Sequence, residues 1–266
     1  MLDQAIISMT QRLPNNWYGL RLAICLRRVV TMRMAKNDGI DVERWGAKMR
    51  LYPHQNICEK TALFTPQMYD TDERTELEHE VKAAIDTNRS FSFIDIGANV
   101  GLYSLFVASL AAHHANISAV EPEAISVARL RFNVSQNPWR ITVKPVALGD
   151  HKGFAAIEFN NKNRGGTRTR KPVPSDIGNI VPCMSLIDVL TEEQVTAIDA
   201  MKIDVEGSED SILLPFFREA PSSLWPRLII AELWTDVVLT ELQTRGYGVI
   251  RRTRSNYILR LTSPAA

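Results

Sequence analysis

The 266-residue chain has little cysteine, with only Cys25, Cys58 and Cys183, far apart. An odd and scattered set builds neither a disulfide framework nor a zinc site, so these thiols are expected to be reduced and buried. Charge of one sign is also missing: 31 Lys and Arg stand against 30 Asp and Glu, a formal net charge of +1. No bulk field recommends nucleic acid, and no nucleic-acid partner is expected. No uninterrupted apolar run approaches the ~20 residues of a membrane span. The opening Met-Leu-Asp-Gln lacks the cationic, apolar and small-residue succession of a secretory signal. A cytoplasmic protein is therefore expected. The five histidines, His54, His79, His113, His114 and His151, show no ligand spacing. No metal site is predicted, a divalent cation held by carboxylates lacks sequence support, and His54 is at most a substrate-side base.

With 45% hydrophobic and 23% charged residues, the chain is long enough to bury a full core. The stretch that organises it is Phe91 to Phe106, where a short apolar run ends at Asp95 and two glycines, Gly97 and Gly101, follow four apart. This pattern predicts a buried strand turning tightly into a helix. Gly97 permits a left-handed backbone with a ligand lying against it, and Gly101 permits close packing of helix on strand. A dinucleotide turn would carry a middle glycine for pyrophosphate, but Asn99 stands there. The arrangement D-x-G-x-x-x-G suits an adenosine cofactor with a cationic amino-acid tail, S-adenosylmethionine.

Upstream, residues 1–70 read as a cap. Trp17 to about Ala35 has a helical period with Arg21, Arg27, Arg28 and Arg33 on its polar side. Packing on the main domain is the preferred reading, with peripheral contact on a membrane surface second. Val42, Trp45, Ala47, Met49 and Leu51 suggest a hairpin, and Pro53 to Pro66 a loop. From Thr71 a helix is expected with Leu77, Val81, Ala84 and Ile85 on one face, opening a domain over 71–266.

Beyond the central turn, strands at Ile117–Val120, Ile141–Val146, Ala200–Asp204 and Leu228–Leu233 alternate with helices, including Ala124–Val134 with Ala128, Leu130, Phe132 and Val134 buried. The alternation predicts an α/β fold with a parallel, doubly wound sheet and ligands at the carboxyl ends of its strands. Phe154–Phe159 is a strand outside that order, and Val249 to Leu261 a closing pair. The basic run from Asn160 to Pro172, with Lys162, Arg164, Arg168, Arg170 and Lys171, reads either as a solvated loop or as a lid over an anionic or hydroxylated substrate.

Asp95, Glu121, Asp204 and Glu232 recur at strand tips, and Glu206 lies two residues beyond one of them. Glu121 follows Asp95 by 26 residues, about the interval at which an acid meets ribose hydroxyls. Methyl transfer to an alcohol needs alignment and a base, and Asp204, Glu206 and Glu232 are the candidates for it. A structural charge network with Lys202 is the competing reading. Ser208 or Glu206 is expected to cap the following helix.

Phe93-Ile-Asp-Ile-Gly-Ala-Asn-Val-Gly-Leu-Tyr-Ser104, Val120-Glu-Pro-Glu123, Val146-Ala-Leu-Gly-Asp150 and Met201-Lys-Ile-Asp-Val-Glu-Gly-Ser-Glu209 together resemble the FkbM family of S-adenosylmethionine-dependent methyltransferases. The resemblance covers about Tyr69 to Gly248. It implies the class I methyltransferase Rossmann-like fold, a mainly parallel seven-stranded sheet with helices on both faces, here with a small N-terminal extension. It further implies O-methylation, with Asp95, Gly97, Asn99 and Gly101 at the methionine end of the cofactor, Glu121 at the ribose, Ala147 and Leu148 at the adenine, and Asp204 and Glu206 facing the methyl group. Family members methylate sugar hydroxyls of glycolipids and polysaccharides, or polyketides. A sugar acceptor is preferred here because of the basic run and the neutral balance of charge. A dinucleotide-dependent oxidoreductase or epimerase, and a non-catalytic cofactor-binding module, are the alternatives of another class. Oligomeric state is not legible.

Overall fold

In the computed structural model, which describes residues 2–35, 38–160 and 163–262, Phe91–Ile96 (β1) is an interior strand of a seven-stranded sheet, third from one edge. The others are Ala115–Val120 (β2), Thr142–Lys144 (β3), Ala200–Ile203 (β4), Leu228–Ala231 (β5), Tyr247–Arg252 (β6) and Tyr257–Leu261 (β7), in the order β3-β2-β1-β4-β5-β7-β6. The first five run parallel; β7 is antiparallel to β5 and β6 is antiparallel to β7. This is the sheet of a class I methyltransferase, and its order reverses between β1 and β4, where an open α/β sheet has its crevice.

The central strands are continuous apolar runs because both of their faces are covered. Side chains alternate between those faces. Phe91, Phe93, Ala200, Leu228, Ile230 and Ile258 enter one core, whereas Ile94, Ile96, Met201, Ile203, Ile229 and Leu259 enter the other. The helices are α1 (Leu2–Thr10), α2 (Trp17–Arg33), α3 (Ile57–Phe64), α4 (Thr71–Asp86), α5 (Leu102–Ala111), α6 (Ala124–Ser135), α7 (Leu186–Glu192), α8 (Glu209–Glu219) and α9 (Asp236–Thr244). The first core takes Leu77 and Val81 from α4 and Leu105 from α5; the second takes Leu190, Phe216 and Leu242 from α7, α8 and α9. The N-terminal region contributes Ile7, Met49, Leu51 and Phe64 to the first core.

The hairpin pairs Ile40–Arg44 with Ala47–Leu51, and its two turn residues, Trp45 and Gly46, both have positive φ, the twist that two-residue hairpins require. The expected loop from Pro53 to Pro66 contains α3 instead. Asn56 caps that helix, accepting from the Cys58 and Glu59 N–H groups, while the Glu59 carboxylate accepts from the Tyr52 N–H at 2.9 Å and from Arg129 at 3.1 Å. Arg44 then closes its far end, donating to the carbonyls of Ala62 at 2.9 Å and Leu63 at 2.9 Å.

In α6 the buried positions are Ser126, Val127, Leu130 and Asn133, while Phe132 is exposed. Alternation through residues 128–134 is a strand period, and the helix follows its own. The third strand is shorter than expected, because Ala147–Leu148 leaves it to join a second sheet. There it pairs with Ile180–Met184, which is antiparallel to Gly153–Glu158, and that strand pairs in turn with Arg168–Arg170. The basic segment is thus partly strand rather than loop, and Lys162 lies outside the described residues.

Candidate active site

The turn after β1 is folded back over the strand tips. The N–H groups of Gly97 and Ala98 both donate to the Val120 carbonyl, at 2.9 and 3.0 Å. Gly97 has φ +75°, and a Cβ built on it would fall 1.9 Å from the carbonyl oxygen of Asp204. The turns after β1 and β4 therefore touch through backbone alone, which only glycine allows. Asp95 is buried, and its Oδ2 accepts from the Ser104 N–H at 3.0 Å and hydroxyl at 2.6 Å, fastening the strand to α5. Burial raises its pKa, against the opposing hydrogen bonds from Ser104. Gly101, with φ +87°, opens α5; a Cβ there would lie 2.4 Å from Leu130. Its freedom admits α6 rather than the expected packing on strand.

One cleft opens beside this turn. Its apolar wall is Ile96, Val120, Val146, Ala147 and Leu148, and its polar side includes Glu121, Asn99 and Thr167. Glu121 is 7% exposed. Its Oε2 accepts from the Asn99 N–H at 2.8 Å and its Oε1 from the Glu123 N–H at 2.9 Å, leaving one lone pair on each oxygen for a hydroxyl. Burial pushes its pKa up to about 7. The Thr167 hydroxyl is buried with no partner among the described residues. A carboxylate for two hydroxyls, an unpaired hydroxyl and an apolar slot fit an adenosine group.

Arg164, Gly165, Thr167 and Thr169 form the outer wall, so part of the basic segment already lies over the cleft. Arg164 is held by Glu123 at 3.2 Å. Arg168 lies over the Trp234 ring, 4.9 Å from its centroid. Arg170 does not face the cleft: it is clamped on the surface by Glu158 and Asp176, at 2.6 Å each.

A second cavity shares Gly97, Asn99, Gly165 and Asp204 with the first. Asp70, Asp95, Asp204, Glu206 and Glu232 line it together with Lys202, Tyr69 and Tyr103. Lys202 is 3% exposed, and its ammonium is 3.1 Å from Asp204. Burial works against that charge, but Asp204 and Asp95 outweigh it and hold the pKa above its ordinary value. Glu232 lines the cavity with Asp204, and burial together with the Asp204 charge pushes its pKa up to about 7. Glu206 sits at φ +57°, and burial, then Asp204, raise its pKa. Among the described residues no group of three or more His, Cys, Asp or Glu is placed to hold a metal. The cation within this cluster is Lys202.

Asp95, Gly97, Asn99, Glu121, Ala147, Leu148, Asp204, Glu206 and Glu232 thus line one cavity or the other, several of them both; Gly101 and His54 line neither. Ser208, not Glu206, takes the N-cap position of α8, but its side chain makes no capping hydrogen bond. Glu209 instead accepts from the N–H groups of Val205 at 3.1 Å and Gly207 at 3.3 Å. Sequence reasoning missed Asp70, Tyr103 and Asn56. The Asn56 amide donates to the Asn99 side chain at 2.9 Å, and the Tyr103 hydroxyl donates to Asp70 at 2.9 Å. Tyr103 belongs to the central motif itself, but nothing local to Asp70 or Asn56 announces contact with residues more than 30 positions away.

A family model described as the Methyltransferase FkbM domain matches residues 95–237, just over half of the chain. A tRNA1(Val) (adenine(37)-N6)-methyltransferase of Shewanella frigidimarina is 39% identical over 59 residues, 22% of this chain and 24% of the relative. The 31-O-demethyl-FK506 methyltransferase FkbM of Streptomyces tacrolimicus is 26% identical over 188 residues, 58% of this chain and 70% of the relative. Among solved structures, a methyltransferase FkbM of Methylobacillus flagellatus has 22% identity and a TM-score of 0.45, covering 64% of this chain and 43% of its own.

Proposed function

The chain belongs to the FkbM family of S-adenosylmethionine-dependent methyltransferases, and from that premise we propose that it is an O-methyltransferase acting on a hydroxyl of a sugar in a glycolipid, oligosaccharide or polysaccharide. The observation that carries this reading is the clustering of Asp204 and Glu232 beside Lys202, in the cavity adjoining the adenosine cleft. When bound, S-adenosylmethionine supplies a methyl group already activated on a sulfonium.

The protein's tasks are to align the acceptor oxygen and to remove its proton. A sugar hydroxyl is a poor nucleophile until a base takes that proton, and a base works best with a pKa near the working pH. Glu232, pushed up to about 7, meets that requirement, with Asp204 keeping it there and Lys202 offsetting part of the accumulated negative charge. Glu121 and the apolar slot formed by Val146 and Leu148 hold the adenosine end; Asp95, Gly97 and Asn99 border the methionine end.

Oxygen as acceptor is supported by the Streptomyces relative, whose name gives it an O-demethyl substrate. The second cavity favours a polyhydroxylated acceptor: it presents five carboxylates, two tyrosines, Asn163, Asn256 and one ammonium, a set rich in partners for hydroxyl groups. The same five carboxylates disfavour a nucleic acid, whose phosphates would meet like charge.

Incubation with methyl-labelled S-adenosylmethionine against a sugar glycoside, a polyketide alcohol and tRNA tests this. Label on the glycoside supports the proposal, while label on either of the others, or on none, defeats the sugar reading.

A further inference from the structure

The helix α2 has two apolar sides, and the protein covers only one. Gly19, Ala23 and Val30 are buried against the protein. On another side, about a third of a turn away, Tyr18, Leu22, Cys25, Val29 and Met32 recur at i, i+4, i+7, i+11 and i+14, a single stripe along the helix. Tyr18 is 75% exposed and Met32 78%; Leu22, Cys25 and Val29 between them are exposed as well. Arg21 and Arg28 flank the stripe on one edge and Arg33 on the other, all three exposed. The helix contains no acidic residue. Asp3 of α1, 3.6 Å from Arg33, is the only acid paired with these arginines among the described residues. Trp17 stands at the start of the helix, 56% exposed, beneath the Arg21 guanidinium at 4.1 Å.

We propose that this face of α2 seats the protein on an anionic lipid surface. An apolar stripe edged by arginines, with Trp and Tyr at one end, is built to lie in the headgroup boundary: the stripe enters the acyl region and the guanidiniums stay with the phosphates. Charge selects this occupant over a second copy of the chain. A two-fold contact through the stripe would bring arginine rims together with no acid on either helix to neutralise them. The placement is consistent with access to the site. The α1–α2 turn is tied to the turn that follows α3, with Gln67 donating to the carbonyls of Thr10 and Leu13 at 3.0 Å each, and Ile57, Cys58 and Thr61 of α3 line the second cavity. The inference does not depend on which acceptor is methylated.

The test is cosedimentation of the full chain with phosphatidylcholine vesicles, alone and with phosphatidylglycerol mixed in. Binding is expected only with the anionic lipid, and is expected to weaken as salt is raised. Each arginine is worth about fivefold in partition, so Arg21→Gln, Arg28→Gln and Arg33→Gln together should lower it by about 100-fold. Tyr18→Ser with Met32→Ser should lower it as well. Unchanged calorimetric binding of S-adenosylhomocysteine by these variants would confirm that they are folded. No binding to anionic vesicles, or equal binding by the arginine variant, overturns the proposal. So does a dimer in light scattering that Tyr18→Ser with Met32→Ser dissociates.

Discussion

The Lys202 ammonium stands 3.1 Å from the Asp204 carboxylate, and Lys202 is opposite Asp95 in the register of the adjoining strand. One buried cation thus faces the acids at the tips of two parallel strands, and its charge lowers the pKa of Glu232. In the Lys202→Gln variant that opposition is lost, so Glu232 should hold its proton to higher pH. The acid limb of kcat is expected to move to the alkaline side, with circular dichroism confirming the fold. A limb that stays in place would separate Lys202 from the proton-accepting pair.

For the unaltered enzyme, kcat at saturating substrates should climb about tenfold per pH unit below the Glu232 pKa and level off above about 7. The sign follows from the raised pKa: the protonated acid cannot accept the acceptor's proton. Glu232→Gln should abolish the limb and lower kcat by about 10² to 10⁴. Cofactor affinity measured by calorimetry should be unchanged.

Glu121 gives a different pH signature, in affinity rather than turnover. Its carboxylate is the form that accepts two hydroxyls, so S-adenosylhomocysteine should bind more weakly as pH falls through about 7. Glu121→Ala removes the acceptor and leaves the Asn99 and Glu123 N–H groups unpaired, a loss of about 1–3 kcal/mol. Affinity should drop by about 10- to 100-fold.

The two-turn contact makes a stability prediction. Gly97→Ala drives a Cβ into the Asp204 backbone and forces φ +75° on alanine, at a cost of about 3 kcal/mol in denaturant unfolding. Gly207→Ala, with φ +103° but nothing within 4 Å of its Cβ, should cost only the backbone strain of about 1–2 kcal/mol.

Within the basic segment, Arg164→Ala frees a wall of the adenosine cleft from Glu123 and should weaken cofactor binding. Arg170→Ala removes exposed ion pairs with Glu158 and Asp176, a change of about 0–1 kcal/mol, and should leave affinity alone. Equal effects of the two substitutions would show that the segment acts as one electrostatic unit.

What was legible in the sequence was whatever is local to one strand and its turn. β1, Gly97, Asn99 and the acids at successive tips are each set by the chain within a few residues, and topology then gathers them. The same reasoning failed where a pattern had two readings. Residues 128–134 alternate as a strand would, yet the helix buries Val127 and Asn133. The segment around Arg168 lacks an apolar period because its strand lies at the edge of a small sheet, paired on one side only. Asn56 and Asp70 enter the site through contacts distant in sequence, which no local pattern encodes.

Gly97, Asn99, Gly165 and Asp204 border both cavities, and this has a consequence for selectivity. On the proposed function, donor and acceptor would occupy separate chambers that meet at a doorway framed by two glycines, an asparagine and an aspartate. A molecule can lodge in the outer chamber without presenting an oxygen at that threshold. Rival acceptors would then differ in how often they reach through rather than in how tightly they lodge, and discrimination would be written in turnover.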